Sequence, residues 1–177
     1  MWASNVHKID PALNLYHETK NQEIQLDAII NLSASPFNLG KSKKRLERAK
    51  LISHFFNCAF FYINKVGAED EIIFDGHSFA VDGDDLFLEA SKFKSDILSS
   101  QIPKKSNYSK VTLDVESLTW EELFAANLEH KSKKVELTAL DDEDCAEIIQ
   151  ALSLGVQDYA SKIGFSKFTV ALSGVMD

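Results

Sequence analysis

The sequence predicts an α/β protein, on three observations. Over residues 28–64 an apolar run, an amphipathic segment and a second apolar run follow one another, the order of a βαβ unit. Short β-rich pieces separated by Asp-Gly pairs fill residues 71–91. A long segment with apolar residues at helical intervals covers 145–163 and leads into a β-branched run. The composition agrees. With 45% hydrophobic and 26% charged residues, the 177-residue chain reads as soluble and globular. It is long enough for one domain, or one domain and part of another.

Taken in order, residues 1–23 are polar and read as irregular, with Pro11 as a breaker. Within "LDAIINLSAS", Ala28, Ile29, Ile30 and Leu32 make a near-continuous apolar run, which predicts a strand buried on both faces. The loop "SPFNLGKS" follows. Leu46, Ala49, Ile52 and Phe56 then recur at three- and four-residue intervals and predict the packed face of a helix. Lys43, Lys44, Arg48 and Lys50 fall on the other side, and the basic cluster from Lys41 to Lys50 is read as a solvated face. "CAFFYINKVG" predicts an aromatic-rich strand ending at Gly67, which completes the βαβ unit.

In "EIIFDGHSFAVDGDDLFLEAS", Asp75-Gly76 and Asp82-Gly83 predict antiparallel hairpins. "YSKVTLDVES" reads as one more strand, and the Thr119-x-x-Glu122 spacing as a capping box opening a short helix to about Leu128. The basic stretch "HKSKKVE" is the best linker candidate. Beyond it Cys145, Ile148, Ile149, Leu152, Val156, Tyr159 and Ile163 predict a helix, with Gly164 placed for a left-handed cap and a last strand at Phe168–Leu172.

Several function classes are disfavoured. A net charge of −8 and a pI near 5.1 argue against a nucleic-acid partner, whose phosphates call for lysine and arginine. No apolar stretch reaches the roughly 20 residues that span a bilayer, so no membrane partner is expected. The N-terminus lacks the charged-then-apolar order of a secretion signal, which points to the cytoplasm. The two cysteines and five histidines sit at no metal-ligand spacing. Cys58, among Phe55, Phe56, Phe60 and Phe61, reads as core, because an apolar setting disfavours a thiolate. Cys145 lies in the acidic run "DDEDC", whose charges suit the first turn of a helix.

Two loops remain as candidates for chemistry. Lys41 follows Gly40 at the C-terminal end of a strand, the edge where α/β sheets bind ligands, and could hold a substrate carboxylate. Ser173-Gly174 follows the last strand, where exposed backbone N–H groups can grip phosphate oxygens. On its own that pair also fits an ordinary strand-ending turn.

"INLSASPFNLGK" is similar to an N-x-S-A-S-P-x-x-x-G-K segment, and "FYINKVGAEDEIIFDGHSFAVDGDDL" to a Y-x-N-x-V-G-G-Q-D-E-x-x-F-D-G-x-S-x-x-x-D block. Both are features of the nitrilase-superfamily glutaminase domain of glutamine-dependent NAD+ synthetases. "ALSLGVQDYASKIGFSKFTVALSGVMD" resembles the junction into the synthetase domain of the same family. There a helix and strand lead into the loop S-G-G-x-D-S. These matches cover most of residues 28–90 and 148–177 in the family's order.

The resemblance implies a C-terminal half of a nitrilase-like α-β-β-α sandwich, followed by the first helix and strand of a Rossmann-like synthetase domain. It divides the chain into a partial glutaminase domain (1–130), a linker (131–140) and the start of an ATP pyrophosphatase-type domain (141–177). It further implies glutamine hydrolysis by a Glu-Lys-Cys triad through a cysteine thioester. The released ammonia would amidate deamido-NAD to NAD+, with ATP and Mg2+ in the complete enzyme, itself expected to be a homo-oligomer.

Met1-Trp2 match the end of the family's C-E-D-x-W stretch, so the chain is expected to begin after the nucleophile and to lack all three triad members. Ser35 and Lys41 match positions that hold the amino-acid end of glutamine. Ser173, Gly174 and Asp177 match the opening of the ATP loop. Val175 replaces that loop's second glycine, where a close backbone approach is strained for a β-branched residue. Glu69 stands where the family has glutamine. The expectation is an inactive piece that binds no cofactor tightly. A truncated paralogue that only associates with full-length subunits, and a free-standing nitrilase-type amidohydrolase using Cys58, are the alternatives.

Overall fold

A computed structural model describes residues 11–103 and 139–171. The chain is mixed α/β. Helix α1 spans Pro11–Asn21, strand β1 Ala28–Ser33, helix α2 Lys41–Phe56 and strand β2 Ala59–Asn64. Strands β3 (Val66–Glu69), β4 (Ile72–Asp75), β5 (Phe79–Asp82) and β6 (Asp85–Glu89) follow, and helix α3 spans Asp142–Lys162.

The βαβ unit is present. β1 and β2 pair in parallel, from Ala28 opposite Ala59 to Ser33 opposite Asn64. β5 joins β2 antiparallel, β6 joins β5, and the four-stranded order is β1-β2-β5-β6. Asp82-Gly83 makes the predicted hairpin, with Gly83 at φ 62°. Asp75-Gly76 does not. β4 pairs back onto β3 in a separate two-stranded sheet, and the pair at 75–76 carries the chain from that sheet to β5. Gly76, at φ 64°, is packed so closely that a Cβ there would lie 3.1 Å from that of Val66.

The core lies between α2 and one face of the larger sheet. Ile29, Ala49, Ile52, Cys58, Phe60, Tyr62, Phe79 and Val81 are buried together, with Leu46 and Phe56 packed against them. Cys58 is 1% exposed and is a core residue, as its aromatic neighbours suggested. β1 is not buried on both faces. Ile29 and Asn31 point under α2, whereas Ile30 and Leu32 are 67% and 77% exposed. A pleated strand turns successive side chains to opposite faces, and among the described residues nothing covers the second one.

Residues 11–21 are helical, not irregular. Pro11 begins the helix, where its missing N–H is one that an α-helix leaves unpaired in any case. Thr19 Oγ1 donates to the carbonyls of Leu15 and Tyr16, and the Tyr16 ring lies 4.2 Å from that of Phe55 on α2. The face of α2 read as solvated also divides. Lys43 and Lys44 are exposed, but Arg45 and Arg48 are buried beside Ala49 and Ile52.

Helix α3 ends as its sequence predicts. Asp141 caps the N-terminus by accepting from Asp144 N at 2.8 Å, and Gly164 follows the C-terminus at φ 79°. The predicted apolar stripe is not the packed face: Ile149, Leu152, Val156, Tyr159 and Ile163 are exposed, and Ala151 and Ala160 are buried. Phe168–Ala171, the described part of the last predicted strand, forms no ladder, because no strand lies beside it among the described residues. The strand predicted in "YSKVTLDVES", the Thr119 capping box, most of the linker, and Ser173, Gly174, Val175 and Asp177 lie outside the described residues. Among the described residues no helix is long and apolar enough to cross a membrane.

Candidate functional site

The β1–α2 loop leaves the C-terminal end of β1 and returns into α2 at Gly40, which sits at φ 73° with open space where a Cβ would stand. Glycine reverses the chain here at little strain and leaves the approach to Lys41 clear. The loop has little secondary structure of its own. Its shape comes from side chains that reach it from three other elements.

Arg45, one helical turn after Lys41, donates through Nη2 to the carbonyl and Oγ of Ser35 and to the carbonyl of Pro36, each at 3.1 Å. Through Nη1 it meets Asp75 Oδ2 at 2.6 Å. Asn64, at the end of β2, accepts from Ser35 N through Oδ1 at 2.8 Å. Its Nδ2 donates to Asp75 Oδ1 at 3.1 Å and to the Ser35 carbonyl at 3.3 Å. Ser35, Arg45, Asn64 and Asp75 are all buried, and the bonds among them hold the loop at its backbone, while Arg45 Nε finds no acceptor among the described residues. The carboxylate of Asp75 balances the guanidinium, and the Tyr62 ring stacks beneath it with Arg45 Cζ 5.7 Å from the ring centre.

Lys41 stands at the open side of this network. Its Nζ donates to the Pro36 carbonyl at 3.2 Å, the same acceptor that Arg45 uses from within. Partial burial, with the Arg45 charge adding to it, pushes the Lys41 ammonium below its usual pKa, and Asp75 opposes the shift. An ammonium held less comfortably than in water gains from an added anion, which restores the interaction that desolvation removed. The Tyr62 hydroxyl, buried below, is pushed up chiefly by desolvation, with Arg45 and the hydroxyls of Ser35 and Ser33 pulling the other way.

The structure therefore brings Lys41 to the loop that contains Ser35: Lys41 and Arg45 share the Pro36 carbonyl, and Arg45 also holds Ser35. Lys41 thus presents a cation at the rim of a loop that buried hydrogen bonds hold in place. The arrangement suits a small ligand carrying a carboxylate, which takes a point charge from lysine. Arg45, Asn64 and Asp75 were not singled out from the sequence. A signal did exist for Arg45, which shares the helix face of Ala49 and Ile52 at i+4 and i+7. Asn64 and Asp75 fill the Asn of Y-x-N and the Asp of F-D-G in the block quoted above, but their segments do not show whom they meet, since their partners lie 11 to 30 residues away.

Neither cysteine serves this site as a nucleophile. Cys58 is sealed in the core, and Cys145 is exposed in the acidic first turn of α3, beside Asp142, Glu143 and Asp144.

No protein-family model matches the chain. Curated relatives do. The glutamine-dependent NAD(+) synthetase of Synechocystis sp. is 33% identical over 180 residues, which cover 99% of this chain and 26% of the relative. That of Thermotoga maritima is 31% identical, over 84% of this chain and 27% of the relative. That of Acinetobacter baylyi is 29% identical, over 88% and 24%. Among solved structures, the glutamine-dependent NAD+ synthetase from Acinetobacter baumannii in complex with ADP aligns with a TM-score of 0.56 at 21% identity, over 86% of this chain and 24% of the other. The glutamine-dependent NAD(+) synthetase from Cytophaga hutchinsonii gives 0.52 at 23%, over 78% and 18%. At these identities the structural likeness shows a shared fold.

Proposed function

The chain belongs with the glutamine-dependent NAD(+) synthetases, about a quarter of whose length it spans, and we propose that it holds the amino-acid end of glutamine for such an enzyme. The single observation that carries this reading is the pairing of Lys41 with the Ser35 loop around the Pro36 carbonyl, locked from beneath by Arg45, Asn64 and Asp75. In the complete protein, glutamine hydrolysis would release ammonia, which would be used with ATP to amidate deamido-NAD to NAD+. Lys41 would neutralise the substrate's α-carboxylate, and Ser35 would offer its hydroxyl beside it. The proposed division is a partial nitrilase-like glutaminase domain over 1–130, a linker over 131–140 and the start of the synthetase domain over 141–177. The ATP loop at Ser173, Gly174 and Asp177 belongs to the last of these.

This reading assigns the chain no triad member, so ligand binding without turnover is its signature. Calorimetric titration of the purified chain with glutamine is expected to give saturable binding. Lys41→Ala should weaken it by about tenfold or more, because hydrogen bonds to charged groups contribute ~1.5–3 kcal/mol. Lys41→Arg should retain most of the affinity. A wild-type chain that gives no heat, or a Lys41→Ala variant that binds as well as wild type, would falsify the assignment.

A second reading, a non-catalytic module that associates with full-length subunits, is favoured by the sheet face that the described residues leave uncovered. Ile30, Leu32 and Ile63 lie exposed on adjacent strands. A contiguous apolar face of this kind is unusual on a free-standing soluble domain. Co-expression with a full-length synthetase followed by size-exclusion chromatography is expected to show co-migration. Separate elution of the two chains removes this reading.

A further inference from the structure

Helix α3 grips the β3–β4 hairpin at the backbone of a single residue, Ala68. Asp158 Oδ2 accepts from Ala68 N at 2.6 Å, and Lys162 Nζ donates to Ala68 O. The two side chains are themselves paired one helical turn apart. Together they satisfy both polar groups that Ala68 turns away from β4, where another strand would otherwise sit. At the other end of the helix Glu147 pairs with Lys92 at 2.8 Å. Two glycines permit the approach: a Cβ on Gly67 would lie 3.1 Å from Asp158 Oδ2, and one on Gly155 3.1 Å from Ile73 Cδ1. Beside these polar ties, Ala68, Ile73, Gly155, Val156, Tyr159 and Phe165 line an open groove of about 460 Å³.

The hairpin passes this constraint on. Ala68 is the register partner of Ile73, and Ile73 turns its carbonyl outward from β4 to accept from Phe37 N at 2.7 Å. Phe37 lies in the β1–α2 loop, between Ser35 and Lys41. Two residues along β4, Asp75 holds Arg45 and Asn64, which hold Ser35. One rung of a two-stranded sheet thus separates the grip of α3 from the candidate loop.

We infer that Asp158 and Lys162 are positioning residues for the Ser35–Lys41 loop, acting through the Ala68–Ile73 rung, so that displacement of α3 loosens the loop. The coupling is a contiguous path: hydrogen bonds tie α3 to Ala68 and Phe37 to Ile73, and strand pairing holds Ala68 opposite Ile73 between them. Its meaning for ligand binding rests on the function proposed above; the mechanical link does not.

Hydrogen–deuterium exchange on the whole 177-residue chain tests it. In an Asp158→Ala/Lys162→Met double variant, exchange at Phe37 and along β3–β4 is expected to rise by about tenfold, as local opening becomes easier. Amides of β1 and β2 should exchange as in wild type. Asp158→Asn keeps an oxygen facing Ala68 N and should stay near wild type. Gly155→Val is a second route, because it wedges α3 off Ile73 while leaving the polar groups intact, and it should give the same pattern. Unchanged protection at Phe37 overturns the inference, and so does a uniform rise that includes β1 and β2. Glutamine titration of the same samples separates the two ideas. Selective loosening at Phe37 in a chain that never binds glutamine upholds the coupling and removes the proposed ligand.

Discussion

Arg45→Met is expected to destabilise the chain by about 3–5 kcal/mol, the typical cost of removing one partner from a buried ion pair. Asp75 is 2% exposed at its side chain, and its remaining partner would be the neutral amide of Asn64. The substitution would also strip a donor from the Ser35 and Pro36 carbonyls and from Ser35 Oγ. A loss of this size is a large part of the ~5–15 kcal/mol that holds a typical domain together. Urea unfolding followed by far-UV circular dichroism reads it as a lower midpoint. Pairing the change with Asp75→Leu should recover part of the loss, because no uncompensated charge is then buried. Recovery would stay incomplete, since the Ser35 loop keeps its unmatched acceptors. A single variant within about 1 kcal/mol of wild type would show that the network is not buried as described, given the ordinary spread of core substitutions.

Phe79→Ala should cost a comparable ~3–5 kcal/mol, by lost transfer energy plus the cavity left behind. Phe79 lies on β5, an interior strand, and is 2% exposed. Its ring stacks on Tyr62 with centroids 5.1 Å apart, and Tyr62 in turn supports Arg45. The same unfolding experiment supplies the control. Ile30→Ala removes an equally apolar side chain from the open face and should fall within about 0.5 kcal/mol in the isolated chain. A large loss from Ile30→Ala would mean that the face is covered in solution, and sizing of that sample would identify a self-associated state.

The contrast between Phe79 and Ile30 marks where sequence reading stopped. Both are apolar residues in strands recognised from composition alone. Nothing near Ile30 in the sequence says that its side of the sheet is open, or that Asn31 is the residue turned under α2. Hydrophobicity ranks the two the other way. Asn31 is buried because the pleat carries it to the same face as Ile29, under a helix that also buries Arg45 and Arg48. Helix α3 repeats the lesson: its apolar stripe is plain in the sequence, yet its buried residues are Ala151 and Ala160, and the hairpin is met by Gly155 and the Asp158–Lys162 pair.

What the sequence by itself determined are features whose causes lie within a few residues. The strand–helix–strand unit, the Asp82-Gly83 hairpin, the Asp141 cap and the Gly164 stop of α3 all depend on periodicity, on φ > 0 or on a neighbouring side chain. Lys41 is legible from its place after Gly40 at the end of a readable strand, and Ser35 from the resemblance alone. The tertiary structure alone decided which face of each element is buried. It also decided that Asp75-Gly76 leads from one sheet to another, and that Arg45, Asn64 and Asp75 form the floor of the candidate site. Those outcomes rest on partners as far as 30 residues apart. Such a contact exists only once the sheets are assembled, and local patterning carries no record of it.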